Sequence, residues 1–277
     1  MSIFKNVSLG TNLFKGYTLE RALELIKEYG FEYAELSSII NFCEHIDPKE
    51  INPEYCERIK QLLDTVGLKC HAVSGHLDPT IEEQCQDLMK KIEFAGRIGA
   101  KIVNTNSGPL QRLDVFHKNM PRLIEVAEKW NVIIGLESHG DIVNTAKDSI
   151  HIFKHYDHPL VRLNYDTGNT LFYNPGKVKI EEDIQYGFEY LVHLHLKDIR
   201  ITDNYVAYVP IGQGDVNFPA VFEVLKTFGS PIPCGYEIPV HVKGVLGNIV
   251  PTGTPLPEEE IRQAVTSSLA YVDSLLK

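Results

Sequence analysis

The 277-residue sequence lacks several features that would place it in other classes of protein. No apolar run reaches the roughly 20 residues that cross a bilayer. The first ten residues have no basic region followed by an apolar core, so we expect neither a membrane anchor nor an export signal. Lys and Arg total 27 against 37 Asp and Glu. The resulting net charge of -10 argues against a nucleic-acid-binding protein, because phosphate contacts need clustered basic residues.

Cysteine is also scarce, and its spacing indicates neither disulfides nor a zinc site. The chain has five cysteines, an odd number, and no Cys-x-x-Cys pair. Reduced thiols in a cytoplasmic protein are therefore the expectation. The scattered residues are Cys43, Cys56, Cys70, Cys85 and Cys234.

A short β-like segment followed by a helical pattern recurs eight times along the chain. The predicted strands are Val7–Leu9, Phe31–Leu36, Leu68–Val73, Lys101–Asn106, Val132–Glu137, Val161–Tyr165, Leu191–Arg200 and Pro233–Ile238. The predicted helices are Leu19–Tyr29, Pro53–Val66, Ile81–Ile98, Met120–Trp130, Thr145–His155, Ile180–Gly187, Phe218–Phe228 and Pro257–Leu276. This alternation predicts an α/β fold, a single (β/α)8 TIM barrel that occupies residues 1–277 as one domain.

Two features bear on the choice of fold. No Gly-x-Gly-x-x-Gly loop follows the first strand, which argues against the competing dinucleotide-binding doubly wound sheet. The segment Val240–Thr254, rich in Gly, Pro and Val, separates the last strand from the last helix. Loops of this length without secondary structure are usually functional or mobile, so we expect this segment to affect function.

Polar side chains on the strand at Leu191–Arg200 indicate a site. Strand alternation puts His193, His195 and Lys197 on one face, opposite the apolar residues. Burying three such groups is costly unless other groups pair with them. We therefore expect partners, and a metal, at the ends of other strands.

Four ligand-type residues end successive predicted strands. Glu137, Asp166 and His195 are separated by equal intervals of 29 residues, and Glu237 ends the following strand. Since active sites of TIM barrels lie at the carboxyl ends of the strands, these residues should lie side by side. Three carboxylates and one imidazole are suitable ligands for Mn²⁺, Mg²⁺, Co²⁺ or Zn²⁺, and without a cation the carboxylates would repel one another.

Five motifs together carry a resemblance to a known family. They are Gly135–Gly140 (GLESHG), Asn164–Asn169 (NYDTGN), His193–Asp198 (HLHLKD), Gly212–Gly214 (GQG) and Gly235–Glu237 (GYE). The chain resembles the xylose isomerase-like TIM-barrel superfamily, and most closely its sugar (phosphate) isomerase/epimerase branch. That branch includes ketose 3-epimerases, hydroxypyruvate isomerase, and inosose isomerases and dehydratases. The resemblance covers nearly the whole chain and is strongest from Val132 to Ile238.

The resemblance implies a divalent-metal-dependent enzyme of carbohydrate metabolism that isomerises or epimerises a ketose or an inosose-like substrate. Glu137, Asp166, His195 and Glu237 would bind one metal ion, with Mn²⁺ the first choice and Mg²⁺, Co²⁺ or Zn²⁺ the others. Glu137 and Glu237 would also be the catalytic acid and base, which remove and return a proton on opposite faces of the substrate through an enediolate. The sequence shows no second carboxylate cluster of the kind that hydride-shifting xylose isomerases use, which favours proton transfer.

Other polar residues near the strand ends are candidate substrate contacts. Instead of contacting substrate, Lys197 and His139 could each form a salt bridge to Asp198 or Glu35. His71 could equally make a structural hydrogen bond, and Arg200 could equally be a surface charge. The full set of candidates is His71, Asn106, His139, Asn169, Lys197 and Arg200.

The sequence is also compatible with other functions. A lyase, either a dehydratase or a subunit that cleaves 3-keto C-glycosides, would use the same metal and base, and the long segment Val240–Thr254 favours it. Endonuclease IV is a cousin in the superfamily, but Asn169 replaces a His of many relatives, and the acidic charge also argues against a nuclease. A non-catalytic sugar-binding barrel is a further alternative. A homo-oligomer or a partner subunit is compatible with each.

Overall fold

The computed structural model describes residues 3–203, 205–245, 248–251 and 255–277. The described residues form strands β1 Phe4–Gly10, β2 Tyr33–Ile39, β3 Cys43–Glu44, β4 Lys69–Ser74, β5 Ile102–Thr105, β6 Ile133–Glu137, β7 Val161–Asp166, β8 Leu191–Leu196, β9 Asp198–Thr202, β10 Tyr205–Val209, β11 Ile232–Tyr236, β12 Val242–Val245 and β13 Asn248–Pro251. The α-helices are α1 Leu19–Glu28, α2 Pro53–Val66, α3 Glu82–Ile98, α4 Leu113–Trp130, α5 Ala146–Tyr156, α6 Thr167–Tyr173, α7 Ile180–Asp183, α8 Phe218–Leu225 and α9 Glu258–Leu275.

Eight parallel strands close into a barrel. Their order is β1, β11, β8, β7, β6, β5, β4 and β2, and β2 pairs again with β1 to complete the circle. The predicted (β/α)8 TIM barrel is therefore confirmed. The carboxyl ends of β6, β7, β8 and β11 lie next to one another at one mouth of the barrel, and this adjacency places the site described below.

Most helix boundaries follow from capping residues that the sequence displays. The Thr18 side chain accepts a hydrogen bond from the backbone of Arg21 at the start of α1. Asn52 does the same for α2, which ends at Gly67 in the left-handed conformation (φ 76°). Among the described residues, no helix combines the length and apolar character needed to cross a bilayer.

Helices α4, α6, α7 and α8 differ from the prediction, and α7 and α8 end earlier than expected, at Asp183 and Leu225, where short 3-10 helices follow. Helix α4 begins at Leu113 rather than Met120, so Pro121, which was expected near the helix start, lies inside the helix. Helix α6 was not predicted, because it begins directly after a strand and has only seven residues. The Asp166 side chain caps it by accepting a hydrogen bond from the backbone of Asn169.

A second, antiparallel sheet accounts for the segment that was expected to be a structureless loop. Strands β9, β10, β12 and β13 pair in that order. Residues 242–245 and 248–251 of the segment Val240–Thr254 are thus β-strands, whereas residues 246–247 and 252–254 lie outside the described residues. The sheet has its own small core of Ile199, Val206, Tyr208 and Val242, against which Phe42 packs. The pairing that joins the two halves of the sheet, β10 with β12, links segments more than 30 residues apart in sequence, so no local pattern indicated it.

The contact between α3 and α4 generates a stability prediction. A Cβ atom at Gly96 would lie 2.7 Å from Trp130 Cβ and 3.0 Å from Trp130 Cε3. An alanine in a helix interior normally stabilises by about 1 kcal/mol relative to glycine. Overpacking costs about 1–3 kcal/mol. We expect Gly96→Ala to lower the free energy of unfolding by about 1 kcal/mol in denaturant titrations.

The control for this prediction is the same change in a Trp130→Gly background, which removes both the Cβ atom and the indole ring that a Cβ at position 96 would meet. In that background the helix preference for alanine should dominate, and Gly96→Ala should stabilise the protein. If Gly96→Ala stabilises the protein equally in both backgrounds, the close packing of Trp130 on Gly96 does not limit this position.

Candidate metal centre and active-site cavity

Four buried ligand-type side chains meet at the barrel mouth. Glu137, Asp166 and His195 come from the ends of β6, β7 and β8, and Glu237 follows β11. One ligand atom from each lies within 4.8 Å of the others. His195 Nδ1 is 3.0 Å from a Glu137 oxygen, 3.6 Å from Asp166 Oδ2 and 3.5 Å from Glu237 Oε2. The sequence-predicted ligand set is therefore brought together in space.

Asparagine side chains hold the two glutamates in place. Asn164 and Asn169 donate hydrogen bonds of 2.7 and 2.8 Å to the two oxygens of Glu137. Asn12 donates a hydrogen bond of 2.6 Å to Glu237 Oε1. Each glutamate is thus oriented toward the cluster by neutral donors, which leave its negative charge in place.

The remaining carboxylate oxygens of the cluster show that the donor set suits a cation. Asp166 Oδ2 and Glu237 Oε2 are buried and accept no directed hydrogen bond from the described residues. Both form ion pairs with Lys197 Nζ, which is 2.7 Å from Asp166 Oδ2. Buried anionic oxygens without directed donors are the atoms that a hard or borderline divalent ion binds, so the residues fit such an ion.

The electrostatics of the cluster reflect competition between burial and neighbouring charge. Burial opposes ionisation of Glu137, but the charges of His76 and His195 hold its pKa well below the usual range. Burial raises the pKa of Glu237, and the negative charges of Glu137 and Asp166 add to that rise. Burial disfavours the charged form of His195, yet Glu35, Glu237 and Glu137 together raise its pKa well above the usual value.

A cavity of about 290 Å³ opens beside the cluster. Its polar wall contains both glutamates, several asparagines and two histidines, and its apolar wall comes partly from the second sheet. The lining residues are Asn12, Ile39, Phe42, His76, Asn106, Glu137, His139, Asn169, Tyr173, Lys197, Tyr208, Glu237, Pro239 and Val242. The cavity brings both glutamates to the same enclosed space.

Four of the six candidate substrate contacts line this cavity: Asn106, His139, Asn169 and Lys197. Lys197 pairs with Asp166 and Glu237, not with the alternatives Asp198 or Glu35. The His139 Nδ1 atom lies 3.1 Å from the hydroxyl oxygen of Tyr173.

The other two candidates, His71 and Arg200, are not brought to the cavity. His71 lies near the start of β4 and contacts the Asn6 side chain at 3.2 Å, in a groove at the opposite end of the barrel. The strand was predicted correctly, but His71 is three residues before its carboxyl end. Arg200 is exposed on β9, where its guanidinium contacts the backbone oxygen of Gln213.

Several cavity residues were missed at the sequence level. His76 lies two residues beyond β4, contacts Asn106 Oδ1 at 2.9 Å and lies 3.6 Å from a Glu137 oxygen. The rule that active-site residues lie at the carboxyl ends of the strands would also have identified His76. No comparable sequence pattern indicates the other missed residues, because they reach the cavity from a short 3-10 helix (Asn12), a loop (Phe42) and the second sheet (Tyr208).

Comparisons with known proteins agree with this architecture. A family model described as Xylose isomerase-like TIM barrel matches residues 23–267. L-ribulose-5-phosphate 3-epimerase UlaE from Escherichia coli O1:K1 / APEC is 22% identical over 232 residues, which are 76% of this chain and 78% of that protein.

Solved structures also share the fold. D-psicose 3-epimerase with D-tagatose, from Clostridium cellulolyticum H10, superposes with a TM-score of 0.76 at 14% identity, covering 99% of this chain and 100% of that one. The probable 3-DHS dehydratase AsbF from Bacillus anthracis gives a TM-score of 0.68 at 18% identity, covering 84% of this chain and 92% of that one. At these identities the likeness concerns the fold alone.

The cluster generates a prediction about metal binding. After chelator treatment, we expect the protein to bind one equivalent of Mn²⁺ by calorimetry, and the ion should raise the melting temperature because it binds only the folded chain. Asp166→Asn should weaken this binding at least about tenfold, since it removes an anionic ligand. Asp141→Asn is the matched control, a half-buried carboxylate that lies outside the cluster. Equal binding by both variants would contradict the assigned site.

The raised pKa of His195 generates a second prediction. A metal ion can bind Nδ1 only after the proton there has left, so protons and metal compete. Below the raised pKa this competition strengthens as the pH falls, so metal affinity should rise with pH, by up to about tenfold per pH unit. Titrations between about pH 6 and pH 8 in buffers of different ionisation enthalpy should also detect proton release. An affinity independent of pH would contradict the displacement of this proton.

Proposed function

The chain belongs to the xylose isomerase-like TIM-barrel family, and from this membership we propose that it is a divalent-metal-dependent sugar isomerase or epimerase. The substrate would be a ketose or an inosose-like polyol ketone, and the reaction would be proton transfer at the carbon next to its carbonyl. The observation that supports this proposal is the placement of Glu137 and Glu237. They reach one cavity from the outer two of four neighbouring strands, with Asp166 and His195 between them.

The two glutamates are suited to act on opposite faces of a substrate. One carboxylate would remove the proton from carbon to give an enediolate, and the other, in its protonated form, would return a proton to the other face. In the reverse direction their roles exchange. A bound divalent ion would polarise the carbonyl and stabilise the negative charge that develops on its oxygen. Hydrogen bonds from Asn12, Asn164 and Asn169 keep both carboxylates oriented toward the cavity.

The charges around the cavity favour an unphosphorylated substrate. Among the described residues that line it, Lys197 is the only lysine or arginine, and its ammonium group is already paired with Asp166 and Glu237. Burial lowers the pKa of His139 to about 4, so this imidazole is neutral near neutral pH. A phosphate group would therefore find no unpaired lysine or arginine among the described residues that line the cavity. By its name, the relative UlaE acts on a phosphate ester, so the substrate proposed here differs.

A lyase is the second candidate function. Removal of a proton next to a carbonyl also starts a β-elimination when a leaving group lies on the next carbon, so the same glutamates could serve a dehydratase. The observation that favours it is the likeness in fold to the probable 3-DHS dehydratase AsbF. Cleavage of a 3-keto C-glycoside, with a partner subunit, would follow the same logic.

Solvent exchange in deuterated water tests the proton transfer. With saturating Mn²⁺, we expect deuterium at the carbon next to the carbonyl of at least one unphosphorylated ketopentose, ketohexose or inosose, measured by NMR. Glu137→Gln and Glu237→Gln should each slow this exchange about 100-fold or more, because an amide neither removes nor returns the proton. Asp141→Asn should leave it unchanged, since that carboxylate does not line the cavity.

The same spectra separate the alternatives. Unaltered exchange in both glutamine variants, with metal content verified, would exclude the two-glutamate mechanism. Loss of water or of an aglycone instead of exchange would favour the lyase. Faster exchange with a phosphorylated ketose than with its unphosphorylated form would contradict the proposed substrate class.

A further inference from the structure

We propose that Glu35 is a positioning residue that orients His195 and fixes its tautomer for metal binding. The inference rests on the proposed metal-dependent function. Glu35 lies on β2 and is 2% exposed. Its Oε1 is 2.9 Å from His195 Nε2, across the barrel interior from a residue 160 positions away in sequence. The sequence motifs gave Glu35 no role beyond a potential salt bridge.

The two ring nitrogens of His195 face different partners. Nδ1 lies 3.0 Å from Glu137 and faces the metal cluster, whereas Nε2 faces Glu35. A neutral imidazole carries one hydrogen, and only the nitrogen without it can bind a metal. A carboxylate that accepts from Nε2 places the hydrogen there and leaves the Nδ1 lone pair directed at the cluster. The same hydrogen bond limits rotation of the ring.

The barrel interior makes room for this contact. A Cβ atom at Gly235, on the neighbouring strand β11, would lie 2.5 Å from Glu35 Oε2 and 3.1 Å from His195 Cδ2. Real Cβ atoms do not approach so closely, so any side chain at this position would displace the pair. The absence of a side chain at Gly235 therefore permits the hydrogen bond between Glu35 and His195.

A second metal ion between Glu35, His193 and His195 is the competing explanation, since their ligand atoms also lie within 4.8 Å of one another. The side-chain amide of Asn104 occupies the space among them. Its Nδ2 is 2.9 Å from Glu35 Oε1, 3.2 Å from His193 Nδ1 and 3.4 Å from His195 Nε2. This neutral NH₂ group donates to Glu35 and fills the space among the three side chains, so a hydrogen-bonded network accounts for their close approach without a metal ion.

The test compares Mn²⁺ affinity and stoichiometry, without substrate, in the wild type, Glu35→Leu and Glu35→Gln. We expect one equivalent in each protein and an affinity reduced about 10–100-fold in Glu35→Leu. Glu35→Gln keeps an oxygen that can accept from Nε2, so it should recover most of the affinity. Ser38→Ala is the matched control, because Ser38 is buried on the same strand and, among the described residues, its hydroxyl donates only to the backbone oxygen of Ile46. It should lower stability and leave the affinity of the folded protein unchanged.

Three outcomes are informative in different ways. Unchanged affinity in Glu35→Leu would overturn the positioning role while leaving the proposed function intact. Two equivalents in the wild type that fall to one in Glu35→Leu would overturn it in favour of a second metal. Absence of Mn²⁺ binding by the wild type would overturn both the inference and the proposed function.

Discussion

Burial of negative charge at the barrel mouth is the constraint on which the rest of this structure depends. Glu35, Glu137, Asp166 and Glu237 are each almost completely shielded from solvent. An unpaired buried carboxylate is costly, so each needs a cation or a set of donors nearby. The donors are largely asparagines that project from the strands and from the segments next to them, as the hydrogen bonds of Asn12, Asn104, Asn164 and Asn169 show.

Glycines on the strands are the second consequence of this constraint. A Cβ atom at Gly135 would collide with the side-chain oxygen of Asn104, and one at Gly235 would collide with Glu35. Both positions belong to the motifs that carry the family resemblance. In this protein they provide the space in which a polar network crosses the barrel, so their role is to accommodate the network and not to form turns.

The sequence predicted those parts of the site that follow from strand periodicity. The ends of β6, β7 and β11 were located to within two residues because alternation is local, and the four proposed ligands lie close together. The predicted strand Leu191–Arg200 instead divides into β8, which ends at Leu196, and β9 of the second sheet. The residues that sequence analysis missed depend on long-range pairing. Tyr208 and Val242 reach the cavity only because β10 pairs with β12, strands separated by more than 30 residues. His71 shows a different limit of sequence analysis. Its strand was predicted correctly, but the prediction did not determine which end of the barrel the side chain faces.

Charge balance connects the proposed metal with Lys197. The three carboxylates among the proposed ligands carry three negative charges, and Lys197 supplies one positive charge through its ion pairs with Asp166 and Glu237. A divalent ion would supply two more positive charges, and the fourth buried carboxylate, Glu35, accepts a hydrogen bond from Asn104 and faces Nε2 of His195. The hydrogen bond from His195 to Glu35 is compatible with this balance, since it keeps the single imidazole hydrogen on the side away from the cluster. A monovalent cation would leave negative charge uncompensated, and a buried cluster of this composition therefore favours a divalent one.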